Sequence, residues 1–116
     1  MSGRGETTKR IRDLNDEVRV RGPVSEPNAR WMLTPGVLAL GALAVADAIK
    51  GVQTFTAFSA DNDPHREHDF GSLTIAGQRL FWKIDYYDLS LASGSADPSD
   101  ETVTCRVLTV MLADEY

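Results

Sequence analysis

The stretch from Gln78 to Tyr87 alternates: Leu80, Trp82, Ile84 and Tyr86 fall on one side, Phe81, Lys83, Asp85 and Tyr87 on the other. Side chains of a strand point to opposite faces in turn, so this period of two predicts a strand with one buried face. Ahead of it, Ala76-Gly77 supplies a two-residue turn whose glycine accepts the positive φ of a tight hairpin, and Asp69 to Ile75 reads as the partner strand. A hairpin of this kind commits the chain to a sheet. The Leu80 face belongs to the core. The Phe81 face mixes aromatic and charged groups and suits a partly exposed surface.

The remaining elements follow from other periods. Ile11, Leu14 and Val18 recur at steps of three and four, predicting an amphipathic helix from Thr7 that Gly22-Pro23 ends. Pro23 to Pro27 reads as a linker and Arg30 to Thr34 as a short strand. Thr34-Pro35 is a helix-start signal, and Val37 to Lys50 fits a mostly buried helix stopped at Gly51. Gln53 to Phe58 reads as a strand. Near the C-terminus Asp97-Pro98-Ser99-Asp100-Glu101 resembles a helix start, and Val103, Val107, Val110 and Met111 follow helical spacing. The same run is rich in β-branched residues, and a strand from Thr104 to Leu112 is the competing reading. Together these elements predict an α+β fold: an antiparallel sheet of three to four strands with two to three helices packed on one face. Residues 1–6 are expected to be a disordered tail and 7–116 a single α+β domain, which suits a chain of 116 residues.

Composition limits the function classes. The longest apolar run, Val37 to Ile49, is interrupted by Gly41 and Asp47, and Met1 to Gly5 has no apolar signal region, so no membrane association is expected. The lone cysteine, Cys105, has no partner for an internal disulfide, which makes a reducing cytoplasm the expected compartment. The net charge is −5, and it is unevenly spread: residues 1–30 carry seven basic and five acidic side chains, residues 31–116 five basic and twelve acidic. A negative body repels a phosphate backbone, so direct nucleic-acid binding is disfavoured, whereas a basic protein partner is compatible with it.

The chemistry concentrates between Asp61 and Gly71. Asp61, Asp63, His65, Glu67, His68 and Asp69 can bind a metal or move a proton, and both histidines of the chain lie here. Imidazole with carboxylate suits zinc, manganese or iron, with His65, His68 and Asp63 as metal candidates. The spacing is neither His-Glu-x-x-His nor an EF-hand, since Arg66 stands where the latter needs glycine. Acid–base work by Glu67, His68 and Asp69 with Lys83 and Asp85 across the hairpin is a second reading. A third makes the loop a rigid connector, its Asp and Asn side chains folded back onto the backbone around Pro64. Exposed tyrosine beside Lys83 would give a protein-binding anchor.

The blocks Asp61-Asn62-Asp63-Pro64-His65, Glu67-His68-Asp69-Phe70-Gly71, Phe81-Trp82-Lys83-Ile84-Asp85-Tyr86-Tyr87-Asp88 and Arg106 to Tyr116 resemble a family of small bacterial proteins known as domain of unknown function 3768. The resemblance runs from about Ile11 to Tyr116. Arg66 stands where similar proteins are expected to carry glycine. The family offers no activity and no catalytic residue to carry over. The resemblance implies an accessory or mobile-element setting.

The leading expectation is a small acidic cytoplasmic protein-interaction module, monomeric or homodimeric, without a cofactor, that binds a protein partner through Asp61, Asp63, Glu67, Asp85, Tyr87 and Asp88. Inhibition of a host defence nuclease complex, of the anti-CRISPR or anti-restriction kind, is its sharpest form. The alternative is a metal-dependent or acid–base enzyme built on His65, Glu67, His68 and Asp69.

Overall fold

A computed structural model describes residues 3–23 and 25–116. Helix α1 spans Gly3–Arg21 and is followed by the two-residue strand β1, Ser25–Glu26, and by β2, Ala29–Leu33. Helices α2, Pro35–Leu38, and α3, Ala42–Gln53, come next. Strands β3, Phe70–Ile75, β4, Gln78–Tyr87, and β5, Cys105–Leu112, complete the sheet before a 3-10 turn at Ala113–Glu115. The fold is α+β.

The sheet order is β1-β2-β5-β4-β3. The hairpin of β3 and β4 is antiparallel in the expected register, with Ile75 opposite Gln78 around Ala76-Gly77. Gly77 takes φ +76° and Ala76 φ +52°, the paired positive angles of a type I′ turn. The sheet is not purely antiparallel, however. β2 runs parallel to β5, Ala29 opposite Arg106 through Leu33 opposite Val110. A hairpin turn cannot join parallel neighbours, and here β2 ends at Leu33 and β5 begins only at Cys105. Short-range sequence signals carry no information on such a pairing.

Four further expectations are corrected. The helical reading of residues 101–114 gives way to β5, the strand at the centre of the sheet between β2 and β4. Its near-continuous burial, Cys105 through Leu108 and again Val110 and Met111, obscures the alternation by which strands are recognised. The Asp97 cap signal makes turns instead: Asp97 Oδ1 accepts from Ser99 N at 3.1 Å, and Asp100 Oδ1 accepts from Thr102 N at 2.9 Å. The expected strand Gln53 to Phe58 is the end of α3 followed by irregular chain. The helix expected from Val37 is two helices, because Gly41 at φ +99° breaks it. Finally, α1 starts at Gly3 rather than Thr7, so residues 3–6 are helical; Met1 and Ser2, and Val24 of the expected linker, lie outside the described residues.

Glycines mark two close approaches. Gly51 does not stop α3. It lies within the helix, where an added Cβ would meet Leu73 Cδ1 at 3.3 Å. Gly71 in β3 lies against Trp82 and Phe55, and a Cβ there would fall 2.4 Å from Trp82 Nε1. The core is built on the covered face of the sheet from Leu80, Trp82, Ile84, Leu108 and Val110 against Val18 of α1, Val37 of α2, and Ala48 and Val52 of α3. Trp82 is fully buried, and among the described residues its Nε1–H has no hydrogen-bond partner. Edge-to-face contacts with Phe55 and Phe58 surround its indole, the aromatic geometry that favours a positive ring edge against a π face.

Candidate functional site

The polar loop and α1 form one hydrogen-bonded unit. Steps of four from Ile11 along α1 reach Asn15 and Arg19, both buried on the same face as Leu14 and Val18. Asn15 donates from Nδ2 to Glu67 O at 2.9 Å and to Tyr86 Oη at 2.8 Å, and its Oδ1 accepts from Arg106 Nε at 2.7 Å. Tyr86 in turn donates to Glu67 Oε1 at 2.7 Å. Burial, with the Glu67 carboxylate close by, holds the Tyr86 phenol well above its ordinary range. Arg106 also donates to Pro98 O, and its guanidinium stands 5.2 Å from the Tyr86 ring centroid. Every polar atom of the Asn15 side chain is used. Such a network is costly to break, because each loss leaves a buried group unpaired.

A second set of bonds lies one turn further along α1. Arg19 donates from Nη1 to the carbonyls of Val52, Gln53 and Phe55, at 3.3, 3.3 and 2.9 Å, and so closes the C-terminal end of α3. Its Nη2 meets Asp16 Oδ1 at 2.9 Å. The same carboxylate oxygen is 2.8 Å from His68 Nδ1. His68 stacks flat on Phe58, centroids 3.7 Å apart and planes within 3°. On the opposite edge of the imidazole, Nε2 lies 3.7 Å from Asp63 Oδ2. Asp63 is buried, and its other oxygen accepts from His68 N at 3.0 Å. Asn62 closes the loop through Ser59 N and Ala57 O, while Arg12 donates to Arg66 O.

This geometry places the candidate residues of the sequence as follows. Asp63, Glu67 and His68 turn inward and hold the loop to α1 and β4. Asp61 and His65 are exposed. Asp16 and Asp63 approach His68 on different edges of its ring, so the three do not converge on one point. Among the described residues, no three His, Cys, Asp or Glu side chains form a set able to hold a metal ion. Asp69 is half-buried, and burial, with Glu67 and Asp63 adding to it, raises its carboxyl above the usual range. Asp88 accepts from Ser90 Oγ and Ala92 N in a tight turn. Chemically, the arrangement fixes the imidazole between two carboxylates and covers one ring face with Phe58.

Arg66 and His68 adopt φ +57° and +55°, the left-handed region that favours glycine. The loop makes the glycine-like turn at position 66 with an arginine in place.

The opposite face of the sheet is different. All three helices pack on the covered face; Lys83, Asp85 and Tyr87 of β4 point the other way, beside Met32 of β2 and Val107, Thr109 and Met111 of β5. These residues, with Leu91, Thr34, Glu115 and Tyr116, line an open groove of about 520 Å³. Lys83 and Asp85 pair across its floor at 2.9 Å, and that bond holds the Lys83 ammonium above its ordinary range. At one end Phe70, Phe81 and Tyr116 form an aromatic cluster, centroids 5.2 to 6.0 Å apart. Glu115, next to Tyr116 in the lining, accepts from Thr34 Oγ1, Gly36 N and Leu112 N. It ties the start of α2 to the end of β5. Met32 is 57% exposed although it sits mid-strand beside the central strand.

A family model described as Protein of unknown function (DUF3768) matches residues 33–115. The chain belongs to this family. No curated protein and no solved structure matches the chain. The DUF3768 segment takes in the loop, the hairpin and β5, and hence Glu67, His68, Tyr86 and Arg106. It starts at the last residue of β2, later than the expected start near Ile11, and α1 with Asn15, Asp16 and Arg19 lies before it.

Asn15 and Asp16, which bond to the loop, and Arg19 and Arg106, which bond to those two, were not recognisable from local pattern. The available signal was the pair Asn15 and Arg19 on the apolar face of an otherwise ordinary amphipathic helix. Met32, Val107, Thr109 and Met111 were missed because the groove exists only once β2 and β5 are known to be parallel neighbours.

Proposed function

We propose that this protein is a non-enzymatic interaction module whose binding surface is the open face of the sheet. The observation that carries this reading is the groove bounded by Met32, Lys83, Asp85, Tyr87, Met111 and Tyr116. It is an apolar floor beside aromatic anchors, with a few fixed polar groups, and no helix of the described residues covers it. Aromatic and methionine side chains around a desolvatable centre are the usual anchors of protein recognition. The loop, by contrast, has its inward carboxylates and His68 engaged within the fold.

The partner that suits this surface is a protein with an apolar centre and a basic rim. Asp85 and Glu115 lie on the groove and outnumber Lys83, and the body around them carries the excess of acidic residues noted above. Competition with nucleic acid for the basic groove of a defence nuclease, by a cytoplasmic accessory or mobile-element protein of bacteria, is the sharpest form of the proposal. The net charge of −5 supports it.

The test is affinity capture from a bacterial host, with wild-type protein and the Met32→Glu variant as parallel baits and elemental analysis of the same preparations. The reading expects a partner retained by the wild type and lost by the variant, at unchanged thermal stability. Stoichiometric metal in the purified protein, or catalysis abolished by His68→Gln, would favour the enzyme alternative centred on His65, Glu67, His68 and Asp69 and overturn this one.

A further inference from the structure

The five-stranded sheet ends on two unlike edges. One is β1, only two residues long and carrying Glu26. Short length and charge are common devices that prevent a sheet edge from pairing with another chain. The other edge is β3, with the sequence Phe-Gly-Ser-Leu-Thr-Ile, and it carries none of them. It has no charged residue and no proline, and its register with β4 runs one to one from Phe70 to Ile75 without a bulge.

The register also shows which backbone groups are free. Ile84 N donates to Asp69 O at 2.9 Å. In an antiparallel ladder bonded and non-bonded pairs alternate, so Asp69, Gly71, Leu73 and Ile75 direct their N–H and C=O groups to β4. Those of Phe70, Ser72 and Thr74 point away from it, over the edge. Among the described residues no hydrogen bond reaches them. Helix α3 packs on the covered face of β3, with Gly51 against Leu73, and leaves the edge open.

We propose that this edge is a homodimer interface, in which β3 pairs antiparallel with β3 of a second copy about a two-fold axis at Ser72. The strand is self-complementary in that register. Ser72 faces itself. Phe70 faces Thr74 of the second copy on the open side of the sheet, an aromatic against a β-branched residue. Gly71 faces Leu73 on the covered side, the smallest residue against a large one. All outward N–H and C=O groups of Phe70, Ser72 and Thr74 find partners, and no charged side chain lies within the ladder to oppose its own copy. The contact is isologous and closes at two copies, because the remaining edge is the blunted β1. The two five-stranded sheets become one of ten strands, and their two open faces become one continuous surface. This inference stands apart from the identity of any partner for that face.

Analytical ultracentrifugation of the full chain tests it. The wild type is expected to sediment at twice the chain mass of 12.7 kDa. Ser72→Lys sets two like charges opposite each other across the axis, and Ser72→Glu does the same with the other sign. Each alone is expected to fall to the single-chain mass while keeping its circular dichroism, and an equimolar mixture of the two is expected to recover the double mass. Thr74→Lys, at an exposed position, is the second variant should substitution of Ser72 disturb folding, and it is expected to dissociate the pair as well. A wild type that stays at single-chain mass up to about 1 mM, where association contributes only ~4 kcal/mol, would overturn the proposal. So would a double mass that survives both lysine variants, or a mixture of Ser72→Lys and Ser72→Glu that remains monomeric.

Discussion

The covered and open faces of the sheet use polar side chains in opposite ways. On the covered face Asn15, Asp16, Arg19, Glu67, His68, Tyr86 and Arg106 bond to one another and to backbone carbonyls, so that α1, the loop after α3 and the sheet form one unit. On the open face Lys83 and Asp85 pair with each other, beside the exposed Met32, Tyr87 and the buried Val107 and Met111, and no helix of the described residues packs there. The loop is the richest stretch of the sequence in titratable groups, yet those that turn inward serve the fold. The open face looks ordinary in sequence and holds an open groove of about 520 Å³. Density of catalytic-type residues is therefore a poor guide here, and the state of their hydrogen bonds is a better one.

The comparison breaks first at Asn15. Asn15→Ala leaves Arg106 Nε and the Glu67 carbonyl without their partners in a buried setting, and is expected to destabilise the fold by about 3 kcal/mol. Urea denaturation checks it, with a lower midpoint at unchanged slope. Gly71→Ala comes next. The added methyl meets Trp82 and Phe55, both buried, and the expected cost is about 2 kcal/mol. Arg66→Gly acts in the opposite direction. It relieves an arginine held at φ +57° and should stabilise by about 0.5–1 kcal/mol after the entropy of the unfolded glycine is counted. A rise in melting temperature would confirm that the loop is a turn held for the fold. On the open face, Met32→Glu should change stability by no more than about 0.5 kcal/mol, and equal thermal melts of variant and wild type check it.

The smallest effect is a pH dependence. Burial raises the Asp69 carboxyl above its unfolded value, so between the two values the folded state holds the proton more tightly. Stability from this group is present below the unfolded value and is lost as pH rises through the folded one. Asp69→Asn removes that dependence. The difference in unfolding free energy between variant and wild type should therefore grow in the variant's favour as pH rises through that window, and a flat difference would argue against the assignment.

Local signals resolved part of this molecule. The hairpin was legible because Gln78–Tyr87 alternates cleanly and Ala76-Gly77 admits a type I′ turn. Thr34-Pro35 gave the start of α2, since capping depends on adjacent residues. What failed depends on distance along the chain. The parallel pairing of β2 with β5 joins residues more than seventy positions apart, and β5, buried on both faces over most of its length, carries no alternation to read. Of the residues that suggested an Asx-type connector, Asn62 and Asp63 do bond back to the backbone, whereas Asp61 is exposed. The loop's true partners were not legible, because Asn15 and Asp16 lie on α1, some fifty positions from Glu67 and His68 in sequence.

The central claim is that the open sheet face, and not the loop, meets the partner. Quantitative affinity capture with three baits tests it most directly: wild type, Met32→Glu on the open face, and the double variant Asp61→Ala/His65→Ala, whose two positions are exposed and make no fold-holding contact. The account predicts a protein captured equally by the wild type and the loop variant and reduced at least about tenfold, or 1.4 kcal/mol, with Met32→Glu. Capture that survives Met32→Glu and is lost with the loop variant would contradict it.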